Sequence, residues 1–230
     1  MDIINIKVKD VKQALKDDMF RLMSTYYDNL SKMQFDKDLS NKDHVIIMVE
    51  GGLVRGFTTI EHLHLKIEDK EILGVFSGNT IMDLSIPPSL HLQQAFVRYI
   101  EDLKKTSDKA LYWFLICKGY KTYRYLNVYC KKYYPSYMAK TPEMEQKIMD
   151  AYAKFKYPDN YDLHTGIIKH DDSMDYLKDD VAPITERLLR KPEVAYFAKK
   201  NPGHIHGDEL VCLASFSDDN LKPGYYRALR

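Results

Sequence analysis

Two histidines, His62 and His64, stand two residues apart in the run from Leu53 to Ile67, a spacing that puts both on one face of a strand. Such a pair can contribute to a metal site or leave one imidazole as a general base. No third ligand type lies nearby in sequence, so no metal is expected and the choice is between a base and a solvent-facing pair. Asp83 ends a second apolar run and is a carboxylate candidate for proton abstraction. His204 and His206 lie beside the Pro202-Gly203 turn and read as loop residues. Cys117, Cys130 and Cys212 are an odd number, far apart, with no C-x-x-C spacing, which reads as three reduced thiols in a cytoplasmic protein. Cys117 has Lys118 beside it but no visible partner base, so covalent catalysis through it is not expected. Walker, H-E-x-x-H, G-x-S-x-G and EF-hand patterns do not occur.

The elements that must carry these groups follow from periodicity. Asp10 to Lys32 has apolar residues at Val11, Leu15, Met19, Leu22, Met23, Tyr26 and Leu30, which predicts a helix. His44 to Val49, Leu53 to Ile67 and Ile72 to Asp83 predict three strands joined by short turns, an antiparallel meander. Ser77-Gly78-Asn79 interrupts the third of them, as glycine does at a bulge or a close backbone approach. Pro87-Pro88-Ser89 predicts a helix start, followed by the stripe Leu90, Leu92, Ala95, Phe96, Tyr99, Ile100 and Leu103. Ala110 to Cys117 is almost continuously apolar, as a strand buried on both faces beside a parallel neighbour would be. Strand, crossover helix and buried strand make a βαβ unit. Helices are predicted over about 121–132, 142–155, 183–190 and 192–200, and a closing strand over Glu209 to Phe216. The fold class is α/β with a mixed central sheet, one domain over 1–230, with 141–200 a mainly helical insertion.

The 230 residues (27.0 kDa) are 45% hydrophobic and 29% charged, which excludes a disordered or low-complexity chain. No apolar run approaches a membrane span of about 18 residues, and the N-terminus has no signal-peptide pattern. The net charge of +1 provides no global field for nucleic acid, and no nucleic-acid motif is present. Charge is uneven, however. Arg98 to Lys140 carries ten basic residues against three acids, with eleven aromatics, while Thr141 to Arg190 is net acidic. The first stretch predicts one basic, tyrosine-rich face.

That order of elements resembles the GNAT-type N-acyltransferases. The local likeness runs through Met82-Asp83-Leu84-Ser85-Ile86 and Pro87-Pro88-Ser89-Leu90-His91-Leu92, where that family has its apolar strand end and then Arg/Gln-x-x-Gly-x-Gly/Ala. It continues at Gln93-Gln94-Ala95-Phe96 and at Trp113 to Tyr123. Asn201-Pro202-Gly203 and Asp208 to Ala214 are similar to the C-terminal end of a subgroup of bacterial GNAT-like proteins. The resemblance implies a strand that splays from its neighbour to admit a pantetheine arm, and an acyl-pantetheine thioester (acyl-CoA or acyl-carrier protein) as co-substrate rather than a tightly bound cofactor. It implies donor contacts at Ser77, Gly78, Asn79, Thr80 and Met82 and at Ser89, Leu90, His91, Leu92 and Gln93. It also implies a tyrosine acid on the helix after the splayed strand, Tyr129 by its spacing to Lys132 and Tyr133, or else Tyr123; Asp83 and His64 stay as the candidate bases read from the residues. Phe76, Met82, Phe96 and Phe114 could then line an acyl tunnel that admits long chains.

One departure from the family bears on the donor. Leu90 and Leu92 stand where the phosphate loop has glycines, and a Cβ there keeps backbone N–H groups from phosphate oxygens. Prolines offer no N–H at all. An acidic acyl-carrier protein facing the basic stretch is therefore the easier donor, and an amine of a small molecule, amino acid or peptide the acceptor. The alternative is a GNAT-shaped binding or interaction module without catalysis.

Overall fold

The computed structural model describes residues 1–87, 89–170 and 175–230. The chain begins with β1 (Asp2–Lys7), α1 (Gln13–Tyr26), β2 (Tyr27–Asp28) and α2 (Lys32–Ser40). The meander β3 (His44–Glu50), β4 (Leu53–Ile67) and β5 (Lys70–Met82) follows, then α3 (His91–Thr106), β6 (Ala110–Cys117) and α4 (Tyr120–Tyr129). Next come α5 (Glu143–Lys156), β7 (Tyr161–Asp162), β8 (Ile167–Ile168) and β9 (Tyr176–Leu177). The chain closes with α6 (Glu186–Leu189), α7 (Pro192–Lys200), β10 (Glu209–Ser215) and α8 (Pro223–Ala228).

The main sheet runs β1-β3-β4-β5-β6-β10-β8-β7, and every pairing in it is antiparallel except β5 with β6. The strand alternation sorts side chains into two layers. On one face Leu73, Val75, Trp113, Leu115 and Cys212 pack with α3, α4, α7 and α8. On the other, Val45, Ile47 and Phe57 pack with α1 and α2, and Leu63, Ile72, Phe114 and Val211 pack with α5. The α3 stripe expected from the sequence is the buried set Leu92, Phe96, Val97 and Ile100, which follows the 3.6-residue repeat. Gly74 has room only for a hydrogen, because a Cβ there would stand 2.3 Å from the Tyr152 ring of α5.

Several expected elements differ. The helix expected over 10–32 ends at Tyr26, and a second helix, α2, starts only at Lys32. Asn29 adopts φ 56°, and Ser31 then caps α2 by accepting from Gln34 N at 3.4 Å. The two residues between them that form β2 pair with β9. β1 was not expected, because six residues give too short an alternation to stand out. The stretch 141–200 is not only helical, since β7 and β8 extend the main sheet beyond β10. The helix expected over 183–190 shrinks to the four residues of α6, capped by Thr185. Pro88 lies outside the described residues. Ser89 is not the cap of α3 either: that place is held by Leu90 in a helical conformation, while Ser89 Oγ accepts from His91 N at 3.2 Å. The helix α4 stops at Tyr129 because Cys130 and Lys131 turn to pair with Leu221 and Asn220 of the C-terminal segment. No helix among the described residues is long and apolar enough to cross a membrane.

Candidate active site

β5 and β6 run parallel from Ile72↔Ala110 to Phe76↔Phe114, and there the pairing ends. β5 continues to Met82 without β6 beside it, while β6 continues to Cys117 paired only with β10. The cause lies in β5 itself. On its β4 side the register passes from Gly78↔Thr59 to Ile81↔Phe57, so that Asn79 and Thr80 together face Thr58, a bulge with Asn79 at φ 40°. A bulge bends and twists its strand. The Ser77-Gly78-Asn79 interruption is therefore the bulge expected from the sequence. It leaves the β6-side edge of Ser77 to Met82 without a strand partner. Trp113 Nε1 donates to Ser77 Oγ at 2.8 Å at the point of parting.

Three spaces open around this gap, two of them on opposite faces of the sheet. Under α3 and α4 is an apolar slot of about 40 Å³, lined by Leu92, Gln93, Phe96, Trp113, Leu115, Tyr125 and Tyr129. It also reaches Ser77, Thr80 and Thr122. A cavity of about 130 Å³ lies along the end of β5 by Met82 and Leu84, walled by Gly119, Lys121 and Tyr125 and by Leu177, Val181 and Ala182. On the α1/α2 face is a polar cavity of about 160 Å³, again bounded by Ser77, Thr80 and Thr122. Gly78 and Asn79 of the bulge also line it, with Tyr27, Gln34, Asp38, Lys42, Lys118, Tyr157, His170, Asp175 and Glu209.

The polar cavity is built on ion pairs. Lys42, its side chain only 1% exposed, bridges Asp38 Oδ1 (2.9 Å) and Glu61 Oε2 (3.2 Å), with its ammonium 4.7 Å from the Phe76 ring centre. Lys156 reaches the same Glu61 at 2.6 Å, and its pKa is lowered by burial and by the Lys42 charge. Asn79 Nδ2 donates to Asp38 Oδ2 at 2.6 Å, which ties the bulge to α2. At the other end Lys118 meets Asp175 Oδ2 at 2.9 Å and Glu209 Oε1 at 3.9 Å, and His170 Nε2 meets Glu209 Oε2 at 2.8 Å. Burial opposes the Lys118 charge, but the two carboxylates outweigh it and hold the ammonium above the usual lysine range.

Of the residues expected at a donor site, Ser77, Gly78, Asn79, Thr80 and Met82 line these spaces, as do Leu92 and Gln93. Ser89 and His91 bond to each other at the surface, and Leu90 is 65% exposed, so these three stand outside the slot. Tyr129 lines the slot, and its hydroxyl has no hydrogen-bond partner among the described residues; burial pushes its pKa up to about 12. Tyr123 does not reach the slot. It turns the other way on α4, is fully buried, and donates to Pro135 O at 2.9 Å.

Asp83 lines none of these spaces. Its carboxylate accepts from Ser85 N and Oγ, Arg55 Nη1 and Tyr26 Oη at 2.7–2.9 Å. Burial works against its charge, yet these donors lower its pKa to about 2, so it is a clamp with little basicity left. His64 is exposed on the α3 face of β4, away from both cavities, and His62 on the same face bonds Tyr99 through Nε2 at 2.8 Å. Sequence spacing missed Tyr125, Thr122, Lys118, His170 and Glu209. Only the i, i+3, i+7 spacing of Thr122, Tyr125 and Tyr129 on one helix face could have signalled any of them.

The expected acyl tunnel does not form as one wall. Phe76 and Phe114 pack ring to ring (5.7 Å) on the α5 face, while Phe96 packs on Trp113 on the other. The expected basic face is likewise divided. Lys118 points into the cavity, Lys104, Lys105 and Lys109 pair with acids near the C-terminal end of α3, and Arg124 pairs with Glu193. A count along the chain does not see which way each side chain faces. All three cysteines are free and buried, and burial raises the Cys130 pKa to about 12.

The chain matches no protein-family model and no curated protein. Among solved structures it is similar to a protein from Enterococcus faecalis described as a probable N-acyltransferase. The identity is 14% and the TM-score 0.43, over 57% of this chain and 33% of that one. It is also similar to an aminoglycoside 6'-N-acetyltransferase from Enterococcus faecium (14%, TM-score 0.37, 51% and 61%). A third is N-acetylglutamate synthase from Neisseria gonorrhoeae in complex with coenzyme A and N-acetyl-glutamate (8%, TM-score 0.38, 66% and 33%). The chain thus spans a third of the first structure and less than two-thirds of the second. The strand order, the parallel pair β5 and β6 bridged by α3 and the splay beyond Phe76 agree with the mixed α/β sheet and the splayed strand expected from the sequence.

Proposed function

We propose that the protein is an N-acyltransferase that moves a short acyl group from a pantetheine thioester to a primary amine. The observation that carries this is the meeting of an apolar slot and a polar cavity, from opposite faces of the sheet, at Ser77, Thr80 and Thr122. Acyl transfer needs that geometry, because thioester and amine must approach one carbon from different sides. The unpartnered edge of Ser77 to Met82 suits an extended pantetheine arm, whose amides can add to it as a further strand. In this reading the arm enters past Met82 and Leu84, with Leu92 and Gln93 beside it and the thioester near Thr122.

The amine nitrogen attacks the thioester carbon, and the C–S bond breaks after the tetrahedral intermediate forms. Tyr129 is the acid that protonates the departing thiolate. Its raised pKa keeps the proton in place at neutral pH. Tyr125 neighbours it in the slot, with its hydroxyl 2.9 Å from the Gln93 amide. Backbone N–H groups of the bulge are the candidates to steady the oxyanion. A slot of about 40 Å³ fits a short acyl group rather than a long fatty chain.

Acyl-CoA is the donor to try first, since the divided basic residues offer an acidic carrier protein no single face. A binding module without catalysis is the second reading. It is favoured by the α3 start, where Leu90 holds the cap and Ser89 already occupies the His91 N–H that a phosphate would want. The test is thiol release from acetyl-, propionyl- and longer acyl-CoA and from acyl-carrier protein, with a panel of primary amines. Amine-dependent release that falls with chain length supports the proposal. Absence of release with every donor overturns it in favour of the binding module.

A further inference from the structure

We infer that His170, held by Glu209, is the general base that takes the proton from the acceptor amine, an inference that rests on the acyltransferase reading above. An amine reaches the cavity as an ammonium ion and must lose a proton before its nitrogen can attack. Each carboxylate lining the cavity is already held by a cation or an amide. Asp38 accepts from Lys42 on one oxygen and from Asn79 on the other, and Asp175 Oδ2 accepts from Lys118. His170 lines the same cavity, and its side chain is 4% exposed.

The tautomer follows from the partner. Glu209 Oε2 accepts from His170 Nε2 at 2.8 Å, so Nε2 carries the hydrogen and Nδ1 keeps its lone pair. The groups facing the ring are Glu209 from β10, Tyr157 edge-on (6.3 Å between ring centres) at the end of α5, and Lys118 and Asp175 behind Glu209. Asp208 Oδ1 accepts from His170 N, and Tyr27 lies 5.8 Å from the Lys118 ammonium.

The charges around the ring favour a cationic substrate. Lys118 carries one positive charge against the three negative charges of Asp175, Glu209 and Asp208, so the cluster draws an ammonium ion towards His170. The N–H bond of the ammonium breaks as Nδ1–H forms, and the freed nitrogen pair attacks the thioester carbon. Glu209 is then a positioning residue. It fixes the tautomer and stabilises the imidazolium.

The test is thiol release against pH for the wild type, His170→Asn, His170→Gln and Glu209→Gln, with an alkylamine and with a weakly basic amine that is already neutral at pH 7. The inference expects kcat with the alkylamine to fall by about 100-fold or more in the His170 variants. It expects their acidic limb to vanish and the deficit to close with the weakly basic amine. Glu209→Gln should lower kcat with the alkylamine and spare the weakly basic amine, since the imidazole loses the acceptor that fixes its tautomer and orientation, and it keeps the inference testable should both His170 variants fail to fold. A His170 variant with the wild-type pH profile and only a raised KM, or an alkylamine kcat unchanged in Glu209→Gln, overturns the base assignment and leaves the acyltransferase reading standing. Absence of release by the wild type with every amine overturns both.

Discussion

Trp113, in register with Val75, donates its indole N–H at 2.8 Å to the hydroxyl of Ser77, the first β5 residue beyond the last pair with β6. This is the stitch from which the gap opens. Trp113→Phe removes the donor, shrinks a ring packed on Phe96 and Phe216, and leaves Ser77 Oγ buried. A loss of about 1–3 kcal/mol is expected from the broken bond and the lost volume. It is read as a lower urea midpoint at unchanged slope, with a higher KM for the acyl donor because the slot wall has moved.

Gly74→Ala tests the packing of α5 on the sheet. The added Cβ would sit 2.3 Å from Tyr152 atoms, so the ring or the helix must shift. Overpacking of this kind typically costs about 1–3 kcal/mol. The double variant Gly74→Ala/Tyr152→Phe should recover little, since the aromatic ring and not only the hydroxyl is in the way.

Asp83 is expected to matter for stability and not for proton transfer. Its folded pKa of about 2 lies below its ordinary 3.8, so its contribution is complete above pH 4 and is lost as pH falls towards 2. Asp83→Asn should therefore be less stable than the wild type by about 2 kcal/mol at pH 7, and the gap should narrow in acid. The pH profile of acyl transfer should keep its shape, and a lost acidic limb in this variant would return Asp83 to the role of base.

The two tyrosines of α4 should separate cleanly. Tyr129→Phe is expected to lower kcat by about 100-fold with little change in stability, because its hydroxyl faces the slot without a partner. Tyr123→Phe leaves Pro135 O without its donor and should cost about 1 kcal/mol while kcat holds. Since the Tyr129 proton is retained up to about pH 12, no alkaline loss of the acid should be seen in an assay run to pH 9.5.

The strands of the meander, the α3 stripe and the doubly buried β6 were legible because each writes a long, regular pattern into consecutive residues. The bulge was legible too, since Gly78 interrupts a run that otherwise has no reason to break. The polar cavity was not. Lys118, His170, Asp175 and Glu209 come from four separate places in the chain, and only the antiparallel insertion of β10 between β6 and β8 brings them together. The split between α1 and α2 was hidden because Tyr27 and Leu30 continue the apolar spacing through a break that Asn29 and Ser31 make. Asp83 looked like a base from its place at a strand end. What disqualifies it is the set of donors from Tyr26, Arg55 and Ser85, one of them 57 residues away.

The central claim is that a pantetheine arm occupies the gap between β5 and β6, and a crystal structure with a stable thioether analogue of acetyl-CoA tests it most directly. The account predicts the arm paired along Ser77 to Met82, with its acyl carbon among Ser77, Thr80 and Thr122. An analogue bound elsewhere at full occupancy, with Trp113 and the slot under α3 unchanged, would contradict it.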